Sequence, residues 1–202
     1  MQRILLATTN KGKQREYAEL LAPLAMEVTI LSDLGPDVPE VVEDGLTFEE
    51  NALKKALTYF RHFQLPVIAD DSGLEVDALG GKPGVFSARY AGEKASDEEN
   101  IAKLLAELHN VPLEKRSARF VCVIAYVDGK NDPLIAKGFC SGQIAFEPKG
   151  SNGFGYDPIF YLPQYEKTMA QLEPEEKNKI SHRSKALEQF VQFLKQDKVD
   201  SR

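Results

Sequence analysis

The sequence predicts an α/β fold, a mixed twisted sheet with flanking helices. Short apolar runs at residues 4–7 and 67–69 are typical of buried strands. Segments in which apolar residues recur at helical spacing alternate with such runs, and two of these segments begin with capping-box residues. Further along the chain, two apolar runs are joined by Asp128-Gly129, a hairpin-type turn signal. Together these patterns indicate strands and helices in one mixed fold.

The first half of the chain is predicted to alternate strands and helices. Residues 4–7 and 27–31 are strand-like and flank a helix over about 13–24. Two capping boxes, Thr47 with Glu50 and Ser96 with Glu99, each predict the start of a further helix. These two helices are expected to end near residues 63 and 108.

The second half is predicted to contain a hairpin and a final helical region. Residues 119–126 and 134–141 are strand-like on either side of the turn signal. Pro174 suits the first turn of a helical region that runs toward Leu194, with a break near Ser181.

Composition and charge limit the classes of protein and partner. A chain of 202 residues with 43% hydrophobic content can bury a full core, so we expect one domain, 1–202, with two lobes around a cleft. The formal net charge of −6 and the absence of a basic tract argue against nucleic acid as the main partner.

Membrane insertion and disulfide chemistry are not expected. The longest apolar run, residues 120–127, is too short to span a bilayer, and the N-terminus lacks the layout of a signal sequence. We therefore expect a cytoplasmic protein with no membrane partner. Cys122 and Cys140 lie in apolar, strand-like segments, which favours reduced core residues.

Two adjacent carboxylates, Asp70 and Asp71, follow the apolar run at residues 67–69 and precede Ser72 and Gly73. This pattern predicts a short buried strand, closed by a glycine turn, that delivers both acids to the sheet edge where α/β proteins bind ligands. Two such acids repel each other and call for a cation such as Mg²⁺. The alternative is a solvated turn in which one acid only caps the backbone.

A polar loop at residues 8–13 separates the first predicted strand from the first helix. Backbone N–H groups at a helix N-terminus suit an anion, and Lys11, Lys13 and Arg15 add positive charge. The loop is not a Walker A motif, because the spaced glycines and the Lys-Ser/Thr ending are missing. Short polar loops also open most helices of α/β proteins, so the segment alone is a weak signal.

A glycine-rich segment at residues 150–158 is a second candidate for ligand binding. Its glycines permit positive φ angles and a close approach of a ligand to the backbone. Phe154 and Tyr156 are candidates to stack on a base. The alternative is a tight loop whose aromatic rings return to the core.

A polar cluster precedes the last helical pattern and contains Lys177, Ser181, His182 and Arg183. Arg183 offers a planar fork of donors to a carbonyl or a phosphate. The positive residues are alternatively the solvated ends of helices.

These segments together resemble the inosine triphosphate pyrophosphatase family, which is also called the non-canonical purine nucleoside triphosphate pyrophosphatases. The similarity covers almost the whole chain. The matching motifs are Thr8-Thr-Asn-Lys-Gly-Lys13, Glu43-Asp-Gly45, Thr47-Phe-Glu-Glu-Asn-Ala52 with Lys55, Ile68-Ala-Asp-Asp-Ser-Gly-Leu74, Gly80-Gly81, Pro83-Gly84, Ser87-Ala-Arg-Tyr90, Gly153-Phe-Gly-Tyr-Asp-Pro158 and Ser181-His-Arg183. Thr9 departs from the family pattern, which more often has Gly or Ser there, and the loop backbone is expected to be more constrained.

The resemblance implies a Mg²⁺-dependent homodimeric enzyme with a nucleotide-binding cleft. It implies hydrolysis of ITP, dITP and XTP to the monophosphate and pyrophosphate, which keeps these nucleotides out of DNA and RNA. Asp71 is the implied catalytic base and shares the metal with Glu43, while Asp70 is ranked lower, as a more distant metal contact or a cap. The implied substrate-binding residues are Thr8, Thr9, Asn10, Lys11, Gly12, Lys13, Lys55, Ser72, Phe154, Gly155, Tyr156, Asp157, Lys177, His182 and Arg183.

Selection of the base is expected to depend on the purine 6-oxo group. Arg183 and His182 can donate to that group, and Asp157 or the loop backbone can accept from the ring. The 6-amino group of adenine would leave the donors unpaired.

Two other functions stay open on the sequence alone. A canonical nucleotide phosphohydrolase would act on ordinary nucleotides, and a non-catalytic module would bind nucleotides without chemistry. Glu43 and Asp71 argue against the second function, because pure binding does not need metal-holding acids opposite a polyphosphate.

Overall fold

Seven strands form one mixed sheet in the computed structural model, which describes residues 3–24 and 26–200. The strands are β1 (Arg3–Leu6), β2 (Glu27–Ile30), β3 (Val67–Val76), β4 (Ser117–Val127), β5 (Leu134–Ile144), β6 (Phe160–Leu162) and β7 (Lys167–Thr168). They are hydrogen-bonded in the order β2-β1-β3-β4-β5-β6-β7. Strand β1 is parallel to β2 and β3, and β6 is antiparallel to β5 and β7. The predicted mixed sheet is confirmed.

The described residues form five α-helices: α1 (Lys11–Leu21), α2 (Phe48–Phe63), α3 (Asp97–Glu107), α4 (Pro174–Ile180) and α5 (His182–Asp200). Both predicted capping boxes are present, with Thr47 before α2 and Ser96 before α3. Pro174 opens α4, and the predicted break at Ser181 separates α4 from α5. None of these helices is long and apolar enough to cross a membrane.

Strand β3 is longer than predicted. The sequence predicts an end after residue 69, but the strand continues through Asp70 and Asp71 to Val76. Leu74 and Val76 are fully buried, and this packing outweighs the preference of Asp-Asp-Ser-Gly for turns. The two acids therefore lie inside a strand, and both the glycine turn and the solvated-turn alternative are wrong.

Helix α1 begins earlier than predicted, at Lys11, because Asn10 caps it. Oδ1 of Asn10 accepts a hydrogen bond from the backbone N of Lys13 at 3.0 Å. Residues 11–13 thus form the first turn of the helix rather than a loop. The helix ends at Leu21 and a 3₁₀ turn follows it, because Pro23 has no N–H with which to extend the helix.

The described chain divides into two compact units. The first unit contains the chain up to Asp71, the segment Cys122–Gly138 and the chain from Arg183 onward. Its apolar core is built mainly from β1, β3, β4, α1 and α5 and includes Ile68 and Phe190.

The second unit contains Ser72–Val121 and Phe139–His182. Its core includes Leu104, Phe120 and Phe160. The unit boundaries fall within β3, β4 and β5, and a single domain over 1–202 stays a prediction. Cys122 and Cys140 are buried and form no disulfide bond within the described part of the chain, as predicted.

In the second unit, the buried cation of Arg116 holds the chain that follows α3. Its guanidinium donates to the carbonyl oxygens of Leu108 at 2.6 Å, Val111 at 2.8 Å and Ala145 at 3.0 Å. The guanidinium carbon lies 4.1 Å from the ring centre of Phe146. A cation at the C-terminal end of a helix satisfies carbonyls that lack a partner within the helix.

We expect Arg116→Met to lower the free energy of unfolding by about 3 kcal/mol, because three carbonyls lose a charged donor while the side-chain volume is largely kept. Urea denaturation monitored by circular dichroism measures the change. Lys115→Met is the control, since Lys115 is adjacent and exposed. Equal losses in the two variants would contradict a stabilising role of the Arg116 hydrogen bonds.

Candidate active site

In the first unit, Asp71 is held by Asn51, a fully buried residue of α2. Nδ2 of Asn51 donates to Oδ2 of Asp71 at 3.0 Å, and Oδ1 of Asn51 accepts from the backbone N of Gly45 at 2.8 Å. One amide thus orients the acid and fixes the loop that carries Glu43. Sequence reasoning assigned no role to Asn51, although it lies within a matching motif.

Lys55, one turn after Asn51, connects Glu43 to β3. Its Nζ lies 3.1 Å from Oε2 of Glu43 and donates to the backbone oxygen of Asp70 at 2.5 Å. Residues four apart on a helix share a face, so α2 presents Asn51 and Lys55 together to the acidic pair. Lys55 is buried. It contacts Glu43, one predicted metal ligand, and the backbone of Asp70, which precedes Asp71, the other predicted ligand.

Asp70 is a buried carboxylate surrounded by positive charge. Its Oδ2 lies 2.8 Å from Nζ of Lys13. Burial favours the neutral form of Asp70. The charges of Lys13, Lys55 and Arg183 outweigh this effect and hold the pKa of the carboxyl below its ordinary value. Asp70 is therefore an anion that balances the lysines.

The pKa of Asp71 is shifted in the opposite direction from that of Asp70. Burial raises the pKa of its carboxyl above the ordinary value, and the charge of Glu43 adds to this effect. Lys55, Lys13 and the hydrogen bond from Asn51 oppose the rise without cancelling it. Neighbouring acids whose pKa values are pushed apart are a recognised mark of divided roles, with the raised one suited to accept a proton.

The acids of the first unit fit a divalent cation that is shared with an anionic ligand. Among the residues that the structure describes, no group of three His, Cys, Asp or Glu side chains could hold a metal by itself. Glu43 and Asp71 nevertheless supply carboxylate oxygens, and a hard cation at a polyphosphate typically combines one or two carboxylates with phosphate oxygens and water. Oδ1 of Asp70 is buried without a hydrogen-bond partner in the described part of the chain, which adds an acceptor.

The turn between β1 and α1 is ordered by its own side chains. Oγ1 of Thr8 accepts from the backbone N of Asn10 at 3.2 Å, and Gln14 donates to the backbone oxygen of Thr8 at 2.9 Å. Thr9 and Lys11 are exposed beside them. A helix N-terminus with adjacent lysines is suited to phosphate, and the binding roles of this segment stay predictions.

Arg183 belongs to the first unit and forms a buried ion pair with Glu16. Its Nη1 lies 2.5 Å from Oε2 of Glu16. Burial would lower the pKa of Arg183, but the charges of Glu16 and Asp70 raise it, so the guanidinium is firmly cationic. Glu16 was missed because nothing in the sequence of α1 distinguishes it from a surface acid. The role of Arg183 in reading a base stays a prediction.

In the second unit, Asp157 organises the glycine-rich loop. Its Oδ2 accepts from the backbone N of Phe154 at 2.9 Å and lies 2.6 Å from Nζ of Lys177. At Gly153, where φ is +80°, a Cβ atom would lie 2.0 Å from that same oxygen. Glycine at this position therefore lets the buried carboxylate fold back under the loop.

The two aromatic residues of this loop differ in position. The Tyr156 ring is buried in the core and its hydroxyl donates to the backbone oxygen of Ser87 at 2.8 Å. The core packing of this ring agrees with the alternative of a tight loop whose aromatic rings return to the core, and stacking of Tyr156 on a base stays a prediction. Phe154 is half-buried, with Nζ of Lys177 5.0 Å from its ring centre, and stacking by Phe154 stays a prediction.

His182 and Ser72 complete the predicted residues of the second unit. The imidazole of His182 is buried and stacks on Phe120, with ring centres 4.8 Å apart. Ser72 is half-buried in β3, directly after Asp71. Their contacts with a ligand stay predictions.

The predicted residues thus form two groups, one in each unit. The group in the first unit is Thr8, Thr9, Asn10, Lys11, Gly12, Lys13, Glu43, Lys55, Asp70, Asp71 and Arg183. The group in the second unit is Ser72, Phe154, Gly155, Tyr156, Asp157, Lys177 and His182. The first group combines acids with ammonium groups, and the second combines a rigid glycine loop with a half-buried aromatic ring.

Comparison with known proteins matches residues 4–193 to the Ham1 family. The chain is 57% identical over 187 residues to the dITP/XTP pyrophosphatase of Geobacillus kaustophilus, a match that covers 93% of this chain and 91% of that protein. It is 53% identical over 187 residues to the dITP/XTP pyrophosphatase of Shouchella clausii, covering 93% of each. The solved structure of a HAM1 protein from Coxiella burnetii has a TM-score of 0.87 and 47% identity, and the match covers 97% of this chain and 100% of that one.

Proposed function

The chain belongs to the Ham1 family, and on that premise we propose that it hydrolyses non-canonical purine nucleoside triphosphates to the monophosphate and pyrophosphate. Its substrates are dITP and XTP, which are the substrates in the names of its relatives, together with ITP. The observation that carries the proposal is a buried Asp71, whose pKa is raised, directly next to Asp70, which contacts both Lys13 and Lys55. This arrangement can accept a proton from water and bind a polyphosphate.

The reaction divides into proton transfer and charge neutralisation. Asp71 accepts a proton from the attacking water, the water oxygen bonds to the α phosphorus, and the bond from that phosphorus to the oxygen bridging the α and β phosphates breaks. The bonding electrons stay on the bridging oxygen, which leaves as part of pyrophosphate, so no covalent intermediate with the protein is needed. Asn51 holds the carboxylate of Asp71 in place during this step.

Mg²⁺ held by Glu43 and Asp71 would neutralise phosphate charge and orient the water when bound. Lys13 and Lys55 contribute donors for phosphate oxygens, assisted by Thr8, Asn10 and the N-terminus of α1. Asp70 holds both lysines in position, Lys13 through its carboxylate and Lys55 through its backbone oxygen.

Recognition of the base is assigned to the residues that the family resemblance implies. Phe154 offers a ring face, and the backbone at Gly155 and Asp157 offers hydrogen bonds. Arg183 and His182 would donate to the 6-oxo group, which adenine lacks. A homodimer, a cytoplasmic location and the absence of nucleic-acid and membrane partners also stay predictions.

A panel of nucleoside triphosphates tests the proposed function. We expect hydrolysis of dITP, XTP and ITP with Mg²⁺, with equal amounts of monophosphate and pyrophosphate as products. Because a buried hydrogen-bonding site rejects an analogue that lacks the matching group, kcat/KM for ATP is expected to be lower by up to about 10⁴ to 10⁵. Chromatography of the nucleotides and an assay for pyrophosphate provide the measurement.

The same panel separates the competing functions. Release of inorganic phosphate, or comparable rates with ATP and GTP, would indicate a canonical nucleotide phosphohydrolase. Tight binding of XTP without any turnover would indicate a binding module.

A further inference from the structure

The backbone amide of Gly155 is held by Asp97, the first residue of α3. Oδ2 of Asp97 accepts a hydrogen bond from the N of Gly155 at 2.6 Å, although 58 residues separate the two in sequence. Hydrogen bonds to ionised acceptors are shorter and stronger than neutral ones. Both residues lie in the second unit, so α3 makes a direct contact with the glycine-rich loop.

The same end of α3 also holds the segment that supports Tyr156. Asn100, which is buried, accepts from the backbone N of Ala91 at 2.7 Å and donates to the backbone oxygen of Ala88 at 3.3 Å. The adjacent carbonyl, that of Ser87, accepts the hydrogen bond from the Tyr156 hydroxyl. The start of α3 is therefore connected to the loop by two routes, one through Asp97 and one through Asn100.

We propose that Asp97 is a positioning residue that orders the loop at residues 153–157 before the purine binds, an inference that rests on the proposed function. A loop that is ordered in advance loses less conformational entropy on binding, so its affinity for the ligand is higher. Asp97 reaches the loop backbone and takes no part in bond breaking. Loss of the Asp97 carboxylate is therefore expected to raise KM and to leave kcat nearly unchanged.

Three variants of the full chain test this role. Asp97→Ala removes the acceptor. Asp97→Asn keeps an acceptor oxygen without the charge. Glu98→Ala is the matched control, because Glu98 also lies in the exposed first turn of α3, where its own backbone N–H and Ser96 lower the pKa of its carboxyl. The control thus reports the loss of one negative charge near the helix N-terminus.

Steady-state kinetics with XTP and hydrogen–deuterium exchange of peptides that cover residues 150–157 are the two measurements. We expect Asp97→Ala to raise KM about fivefold and leave kcat within about twofold, in keeping with the loss of one hydrogen bond. Exchange in the loop should become faster in the same variant. Asp97→Asn should recover most of both properties, and Glu98→Ala should match the wild type.

The outcomes distinguish this inference from the proposed function. Unchanged exchange and unchanged KM in Asp97→Ala would overturn the positioning role, as would equal effects of Asp97→Ala and Glu98→Ala. A wild-type protein that does not hydrolyse XTP would overturn the proposed function. In that case faster exchange in Asp97→Ala alone would still support the ordering of the loop, and unchanged exchange would reject it.

Discussion

Replacement of Asp71 by asparagine is expected to lower kcat by about 10² to 10⁴, the range contributed by general-base catalysis. KM should change far less, because the lysines that we propose bind phosphate are kept. The variant should fold normally, since asparagine has the same shape and its side-chain oxygen can still accept the hydrogen bond from Asn51. Burial raises the pKa of Asp71, so a neutral side chain is well tolerated there.

Asp77→Asn is the matched control for this variant. Asp77 directly follows β3 and is exposed, so the same chemical change is made outside the cluster. Single-turnover kinetics and thermal melting of both variants separate chemistry from stability. Near-normal turnover of Asp71→Asn would exclude Asp71 as the base, and a loss of stability with intact activity would instead indicate a structural role.

Elements specified by local signals were predictable from the sequence. The capping boxes at Thr47 and Ser96 mark the starts of α2 and α3 correctly, because capping depends on residues three apart. The extension of β3 through Asp70 and Asp71 was not predictable in this way. Its pairing and the burial of Leu74 are tertiary effects that override the local preference for a turn.

In the candidate site, too, features set by the local sequence were predictable and features set by tertiary contacts were not. The residue types and their order along the chain carried the family resemblance, and the family is confirmed. The contacts that give these residues their environment are long-range, such as Arg183 with Glu16 across 167 residues and Tyr156 with Ser87 across 69. Sequence spacing contains no information about such pairs, so the sequence left two positions open for the Tyr156 ring, on a base or in the core.

Removal of divalent cations is expected to abolish hydrolysis, and Mg²⁺ is expected to restore it. Lys13 and Lys55 face the three carboxylates of Glu43, Asp70 and Asp71, so the cluster carries no surplus positive charge. A triphosphate brings about four further negative charges, and their repulsion in a partly buried site is too large without a divalent cation. Activity measured in excess EDTA, followed by titration with MgCl₂, provides the test.

A comparison of Glu43 with the adjacent acid Asp44 tests whether Glu43 holds that cation. Glu43→Gln is expected to raise the Mg²⁺ concentration needed for half-maximal activity by about tenfold or more, because a neutral amide is a poorer ligand for a hard cation. Asp44→Asn should leave it unchanged, because Asp44 is exposed and pairs with Lys54 at 2.5 Å. Full activity in excess EDTA would show that the acids serve another purpose. Identical Mg²⁺ requirements in the two variants would remove Glu43 from the metal site and leave Asp71 as the one remaining proposed ligand.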